Sequence, residues 1–126
     1  FGHQAGDKTL SAIATILQKF CRRPEDFAAR YGGEEFAIVL PHTKNEDSIK
    51  IAESVRKAIA DSMECRPIED YQITVSIGVS TMVINTYDVS DFIKVLIEAA
   101  DKNLYKAKES GRNKIIFQNN IEMTAT

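Results

Sequence analysis

The sequence predicts an α+β fold in which an antiparallel-rich central sheet is flanked by helices. Three observations carry this expectation. Apolar residues recur at helical spacing in three separate segments, two short runs of strand character meet at a Gly-Gly tip, and a further run alternates like a strand with unequal faces. The order is helix, hairpin, helix, strand, helix, short strand, and helices covering one small sheet satisfy it.

The first helix is expected over Lys8 to Phe20, where Leu10, Ile13, Leu17 and Phe20 form an amphipathic stripe. Pro24 falls in the break that follows. Phe27-Ala28-Ala29-Arg30-Tyr31 and Phe36-Ala37-Ile38-Val39-Leu40 are the arms of a β-hairpin around Gly32-Gly33-Glu34-Glu35, because glycine accepts the positive φ of a tight turn. Pro41 stops the second arm. Thr43 with Glu46 has the spacing of a capping box. It opens a second helix carrying Ile49, Ala52, Val55, Ile59 and Met63, with Glu53 and Lys57 paired on one face.

Gln72 to Thr81 is a strand, with Ile73, Val75, Ile77 and Val79 on one side and Thr74 and Ser76 on the other. A polar connection containing Asn85 and Asp88 leads to a third helix over Ser90 to Glu109. Its stripe is Phe92, Ile93, Leu96, Ala99, Ala100 and Leu104, and Gly111 supplies the stop. Lys114 to Phe117 makes a last short strand. Residues 1–119 are expected to form the domain and 120–126 a flexible tail.

Composition excludes several classes. The 126 residues fit one domain, and 44% hydrophobic against 27% charged residues allow a packed core. Sixteen Lys+Arg against eighteen Asp+Glu give a net charge of −2, which argues against a nucleic-acid-coating protein. No apolar run approaches the ~18 residues of a membrane span. Cys21 and Cys65 form neither a CxxC pair nor a disulfide framework, so a reducing, cytoplasmic setting is the simplest expectation. Neither a Gly-x-Gly-x-x-Gly nor a Walker-type loop is present. The chain begins at Phe1 without a signal-peptide pattern, and reads as a fragment of a longer protein.

The chemistry concentrates in Arg30-Tyr31-Gly32-Gly33-Glu34-Glu35-Phe36. Two glycines at a tip let a ligand approach the backbone and leave N–H groups for anionic oxygens. The two carboxylates beyond them are hard oxygen donors, suited to a Mg²⁺ that bridges nucleotide phosphates. Arg30 and Tyr31 read as strand residues flanking the turn. A solvated turn without chemistry is the simpler alternative for the tip taken alone.

The tip is not alone. Gly32-Gly33-Glu34-Glu35-Phe36 resembles the GG(D/E)EF signature of the GGDEF domain, the diguanylate cyclase family. Phe1-Gly2-His3 to Gly6-Asp7 is similar to that family's (Y/F)GHxxGD segment, and Ile73 to Gly78 to its TVSIG strand. Asp101, Leu104-Tyr105, Ala107-Lys108 and Gly111-Arg112-Asn113 are similar to its D..LY.AK..GRN pattern. The four segments occur in the family's order from Phe1 to Asn113. The resemblance implies a nucleotidyl-cyclase, polymerase-palm-like fold whose first strand lies upstream of these residues.

It also implies an activity and its residues. Such enzymes condense two GTP into cyclic di-GMP and two pyrophosphates, as homodimers with Mg²⁺ (or Mn²⁺) and with one GTP on each protomer. By this resemblance Glu34 is the catalytic general base and a metal ligand, and Glu35 a second metal ligand. Gly32 and Gly33 lie against the phosphates, and Lys108 and Arg112 bind phosphate. Asp7 reads guanine, since a carboxylate accepts from both N1–H and N2–H₂. Taken as residues alone, Asp7 also suits a helix N-cap before Lys8, and the two cations suit the end of a helix, on one side if it continues past Gly111.

Arg23-Pro24-Glu25-Asp26, just ahead of the signature, resembles the family's RxxD site, where the product cyclic di-GMP inhibits. Arginine suits that role because its planar fork matches phosphate and stacks on guanine. A charged loop with a local ion pair is the alternative. Upstream, the resemblance implies a DxDxFKxxND-like segment supplying a metal aspartate and a guanine-binding asparagine, and beyond it a sensory or regulatory domain. An inactive GGDEF module that binds cyclic di-GMP or GTP is the alternative to a working cyclase.

Overall fold

The computed structural model describes residues 2–85 and 90–124. Its elements are α1 (His3–Lys19), β1 (Phe27–Gly32), β2 (Glu35–Val39), α2 (Asn45–Asp61), β3 (Ile77–Asn85), α3 (Ser90–Glu109) and β4 (Ile115–Thr124). The order and the α+β class agree with the sequence. The strands form two ladders, an antiparallel β1–β2 pair and a parallel β3–β4 pair. The second is parallel because α3 carries the chain back along the strand before β4 begins. Two compact units result: Phe1–Thr43 with Ser54–Thr74, and Lys44–Glu53 with Val75–Thr126.

In the first unit α1 packs on β1, with Ile13 and Leu17 buried as their spacing requires. The helix starts at His3, well before Lys8, and the Gly6 N–H bonds the Gly2 carbonyl at 3.1 Å in its first turn. Asp7 therefore lies inside the helix. Gly2 is the N-cap residue, so the N-cap alternative for Asp7 is corrected. From α2, Val55, Ile59 and Ala60 join the core with Cys65, whose exposure is 0%. Gln72 Nε2 donates to the Ala60 carbonyl at 3.0 Å. Met63, expected in the α2 stripe, lies beyond the helix end at Asp61 and is 55% exposed.

The expected capping box at Thr43 is absent because its hydroxyl is engaged elsewhere. It donates to the Pro41 carbonyl and accepts from Arg23 Nη2. Helix α2 begins at Asn45, with Glu46 and Asp47 in the first turn, where carboxylates favour the positive end of the helix dipole.

In the second unit α3 lies across β3. The Ser80 hydroxyl donates to the Leu96 carbonyl at 2.7 Å, and the buried Asn103 Nδ2 donates to the Val79 carbonyl at 2.7 Å. Thr81 Oγ1 donates to Asn45 Oδ1 at 3.2 Å. Residues 72–76, read from sequence as strand, are not in a ladder, since pairing begins at Ile77 opposite Ile115. Strand β4 runs past the expected end at Phe117, into residues assigned to the tail. Ile93, placed in the α3 stripe, is exposed, whereas Phe92 and Ala107 are buried. Asp88 in the polar connection lies outside the described residues.

Candidate functional site

The hairpin tip is built on a two-residue turn. Gly32 pairs with Glu35, leaving Gly33 and Glu34 between the strands. Gly33 has φ +51, a left-handed conformation that glycine adopts without steric cost. The register shifts between Arg30 and Gly32, so Tyr31 is the extra residue of a bulge. Arg30 Nε donates to the Gly33 carbonyl at 2.7 Å and ties the end of β1 to the turn. In the sequence alone Arg30 reads as a strand residue flanking the turn. The signal that could have found it is a long donor three positions before a glycine held at positive φ.

Gly32, Gly33, Glu34 and Glu35 are all exposed. A Cβ built at Gly32 or Gly33 meets nothing within 4 Å, so the backbone at the tip has open space above it. Among the described residues no group of three or more His, Cys, Asp and Glu gathers. The donor set is therefore two adjacent carboxylates beside open glycine backbone. That suits Mg²⁺, which is held by one or two carboxylates and completed by phosphate oxygens and waters.

Asp7 lies beside this hairpin rather than at its tip. One face of α1 (Asp7, Leu10, Ser11, Ala14) and the hairpin residues Arg30 and Phe36 line a cleft of about 530 Å³. This volume falls in the range of small-molecule sites. Leucine and alanine side chains make part of the lining apolar, and Asp7 and Arg30 put opposite charges on it. The structure thus brings Asp7 together with the flanks of the signature, while Glu34 and Glu35 are not among the residues that line the cleft.

Lys108 and Arg112 belong to the second unit. Lys108 is in the last turn of α3 and half-buried. The helix ends at Glu109. The Arg112 N–H reaches back to the Ala107 carbonyl at 2.9 Å across Gly111, the bond of a Schellman stop. Arg112 and Asn113 follow with φ +63 and +48. Arg112 has therefore left the helix, and the side they would share on a continuing helix is not formed.

Arg23 and Asp26 make a closed local network. The Arg23 backbone N–H and Nη2 each approach Asp26 oxygens at 3.1 Å, with Nε at 3.4 Å. Arg23 Nη1 also donates to the His42 carbonyl at 3.2 Å, and Nη2 to the Pro41 carbonyl and to Thr43 Oγ1. Arg23 thus fastens its own loop to the segment between β2 and α2, where His42 is held at φ +55. The Arg23 side chain holds the Asp26 carboxyl below the usual carboxylate range, against the opposing effect of burial. Burial, and then the Asp26 charge, push the neighbouring Cys21 thiol above its ordinary value, which disfavours a reactive thiolate.

Comparison with known proteins identifies the family. The family pattern "Diguanylate cyclase, GGDEF domain" matches residues 1–114. The chain is 38% identical over 120 residues to Diguanylate cyclase A of Treponema denticola, covering 95% of this chain and 31% of that protein. Among solved structures it is similar to the active GGEEF domain of a diguanylate cyclase from Vibrio cholerae. That match has a TM-score of 0.77 at 33% identity, over 94% of this chain and 72% of the other. It is also similar to the GGDEF domain of DgcB from Caulobacter crescentus in complex with c-di-GMP. There the TM-score is 0.77 at 30% identity, over 93% and 67% of the two chains. The chain belongs to the GGDEF domain family. Among the described residues, no helix is long and apolar enough to cross a membrane.

Proposed function

We propose that this chain is the catalytic module of a diguanylate cyclase, condensing two GTP into cyclic di-GMP with release of two pyrophosphates. The observation that carries the proposal is the unbroken Gly32–Phe36 signature on a two-residue turn, with open space over both glycines. The resemblance of the fold to a domain solved with cyclic di-GMP supports it.

The guanine enters the cleft, where Asp7 accepts hydrogen bonds from its N1–H and N2–H₂ edge, a pair that adenine does not offer. The phosphates lie over Gly32 and Gly33, and Lys108 and Arg112 bind phosphate oxygens. Glu34 and Glu35 would hold Mg²⁺, which when bound would neutralise charge on the phosphates. The Glu34 carboxylate takes the proton of the attacking 3′-hydroxyl. The 3′-oxygen forms a bond to the α-phosphorus of the second GTP, and the bond from that phosphorus to the pyrophosphate breaks in line. Repetition of the step closes the ring. Each protomer presents one GTP, so the working unit is a homodimer, and catalysis consists chiefly in positioning and charge neutralisation.

Product inhibition acts at Arg23 and Asp26. In that state the Arg23 guanidinium exchanges the carbonyls of Pro41 and His42 for phosphate oxygens of cyclic di-GMP. A regulatory domain elsewhere in the full-length protein controls the dimer.

The test is incubation of the full-length protein with GTP and Mg²⁺, reading cyclic di-GMP by chromatography with mass detection. Product from the parent and none from Glu34→Gln is the expected result. If the parent, freed of bound nucleotide and concentrated to favour dimers, still makes no product, the cyclase proposal fails. Cyclic di-GMP binding without synthesis would identify a receptor module instead.

A further inference from the structure

We infer that Arg30 is a positioning residue that selects one of two orientations of the peptide between Gly33 and Glu34. The functional consequence rests on the cyclase proposal above, but the structural basis does not. In the turn Gly32-Gly33-Glu34-Glu35 the central peptide is the Gly33–Glu34 unit. Two-residue hairpin turns come in two forms that differ by a flip of this peptide, with φ positive at both central residues or at the first alone. Gly33 has φ +51 and Glu34 does not share a positive φ. Glycine at the first position costs neither form anything, whereas Glu34, with its Cβ, disfavours the form with two positive φ values, so the local sequence restrains the flip in part.

A second restraint comes from outside the turn. The Gly33 carbonyl accepts from Arg30 Nε at 2.7 Å, a charge-assisted bond to the oxygen that would swing to the opposite face on flipping. The peptide is planar and trans, so holding this carbonyl also fixes the direction of the Glu34 N–H. The bulge at Tyr31 places the Arg30 side chain within reach of the turn. Arg30 also lines the cleft with Asp7, so one side chain touches both the cleft and the tip that bears Glu34. A flipped peptide would present a carbonyl where the held form presents an N–H, and would meet anionic phosphates with a repulsive dipole. Arg30 keeps the tip in a single arrangement before the metal and nucleotide arrive.

The test uses Arg30→Ala and Arg30→Gln in the same protein. Glutamine places its Nε2 where arginine has Nε, so it keeps the donor and removes the charge. In the parent, the amide NMR signals of Gly33, Glu34 and Glu35 are expected as one set. Arg30→Ala should shift and broaden them through exchange, and should need roughly tenfold more Mn²⁺ for half-maximal paramagnetic broadening at Glu34, the size of one lost charge-assisted hydrogen bond. Its kcat should fall about tenfold with KM for GTP little changed and thermal unfolding unaltered, and Arg30→Gln should restore the signals and most of the rate. Parent-like turn signals and parent-like Mn²⁺ response in Arg30→Ala would overturn the inference. Parent-like kcat in Arg30→Ala beside an active parent would overturn its functional part while leaving the cyclase proposal intact. An inactive parent whose turn signals still respond would sink the cyclase proposal and sustain the role of Arg30 in the turn.

Discussion

Gly78 lies directly beneath Ala100. A Cβ at Gly78 would come 2.1 Å from the Ala100 carbonyl oxygen, 2.3 Å from the Leu104 amide nitrogen and 2.9 Å from its Cα. All three are backbone atoms of α3, which cannot rotate aside as a side-chain end would. Gly78→Ala is therefore expected to destabilise the protein by about 3 kcal/mol or more, the upper end for overpacking. Urea unfolding with an unchanged slope and a lowered midpoint is the readout. A midpoint equal to the parent's would mean that α3 shifts freely on β3.

Asn103 supplies the polar counterpart of that contact. It is buried in α3 and donates to the Val79 carbonyl, next to the point where the β3–β4 register shifts. Asn103→Leu would remove this donor from the Val79 carbonyl. The expected loss is about 0.5–1.5 kcal/mol, the net size of one hydrogen bond, measured by the same unfolding curves. A neutral result would require another donor to reach Val79.

The Asp26 carboxyl titrates below its usual range in the folded protein because Arg23 hydrogen-bonds its charged form. Its unfolded-state pKa is about 3.9. The contribution is thus fully present above that value and is lost as pH falls through the lower folded-state value. Parent and Asp26→Asn should differ in stability by a constant amount between about pH 8 and pH 5, and the difference should shrink below about pH 4. A difference that persists unchanged at the lowest pH at which both fold would show that the charge of Asp26 is irrelevant.

Asp7→Asn tests base recognition. The amide keeps the shape of the carboxylate but offers one acceptor oxygen and turns a donor toward a donor-bearing guanine edge. The expected effect is a loss of roughly tenfold or more in kcat/KM for GTP, with discrimination against ATP reduced. Equal losses for both nucleotides would place Asp7 outside base recognition.

Local signals were readable and distant partners were not. The bounds of α3 follow from the polar segment before Ser90 and from Gly111, and the hairpin follows from two strand-like runs around paired glycines. The start of α1 is hard to read because Gly2 and Gly6 argue against helix, although a single interior glycine costs only about 1 kcal/mol. The capping box at Thr43 failed because a side chain far back in the chain, Arg23, competes for that hydroxyl. Residues 72–76 have strand character, but a strand also needs a neighbour, which spacing alone does not supply. Of the site, the glycine tip and its carboxylates were legible from the residues. That Asp7 shares a cleft with Arg30 and Phe36 depends on how α1 packs against the hairpin, which leaves no mark in any one segment.

The two ladders also differ in the length of chain they enclose. Phe27 to Val39 closes a short loop, whereas Ile77 to Ile115 must span the whole of α3 before the first bond forms. Hairpins form in about 1–10 μs, and loop-closure entropy must be overcome before distant strands can pair. On a chain emerging from the ribosome, the turn bearing Glu34 can take shape while residues beyond Ile77 are still being made. The β3–β4 ladder has to wait for β4, so the order of synthesis completes the hairpin first and the parallel pair last.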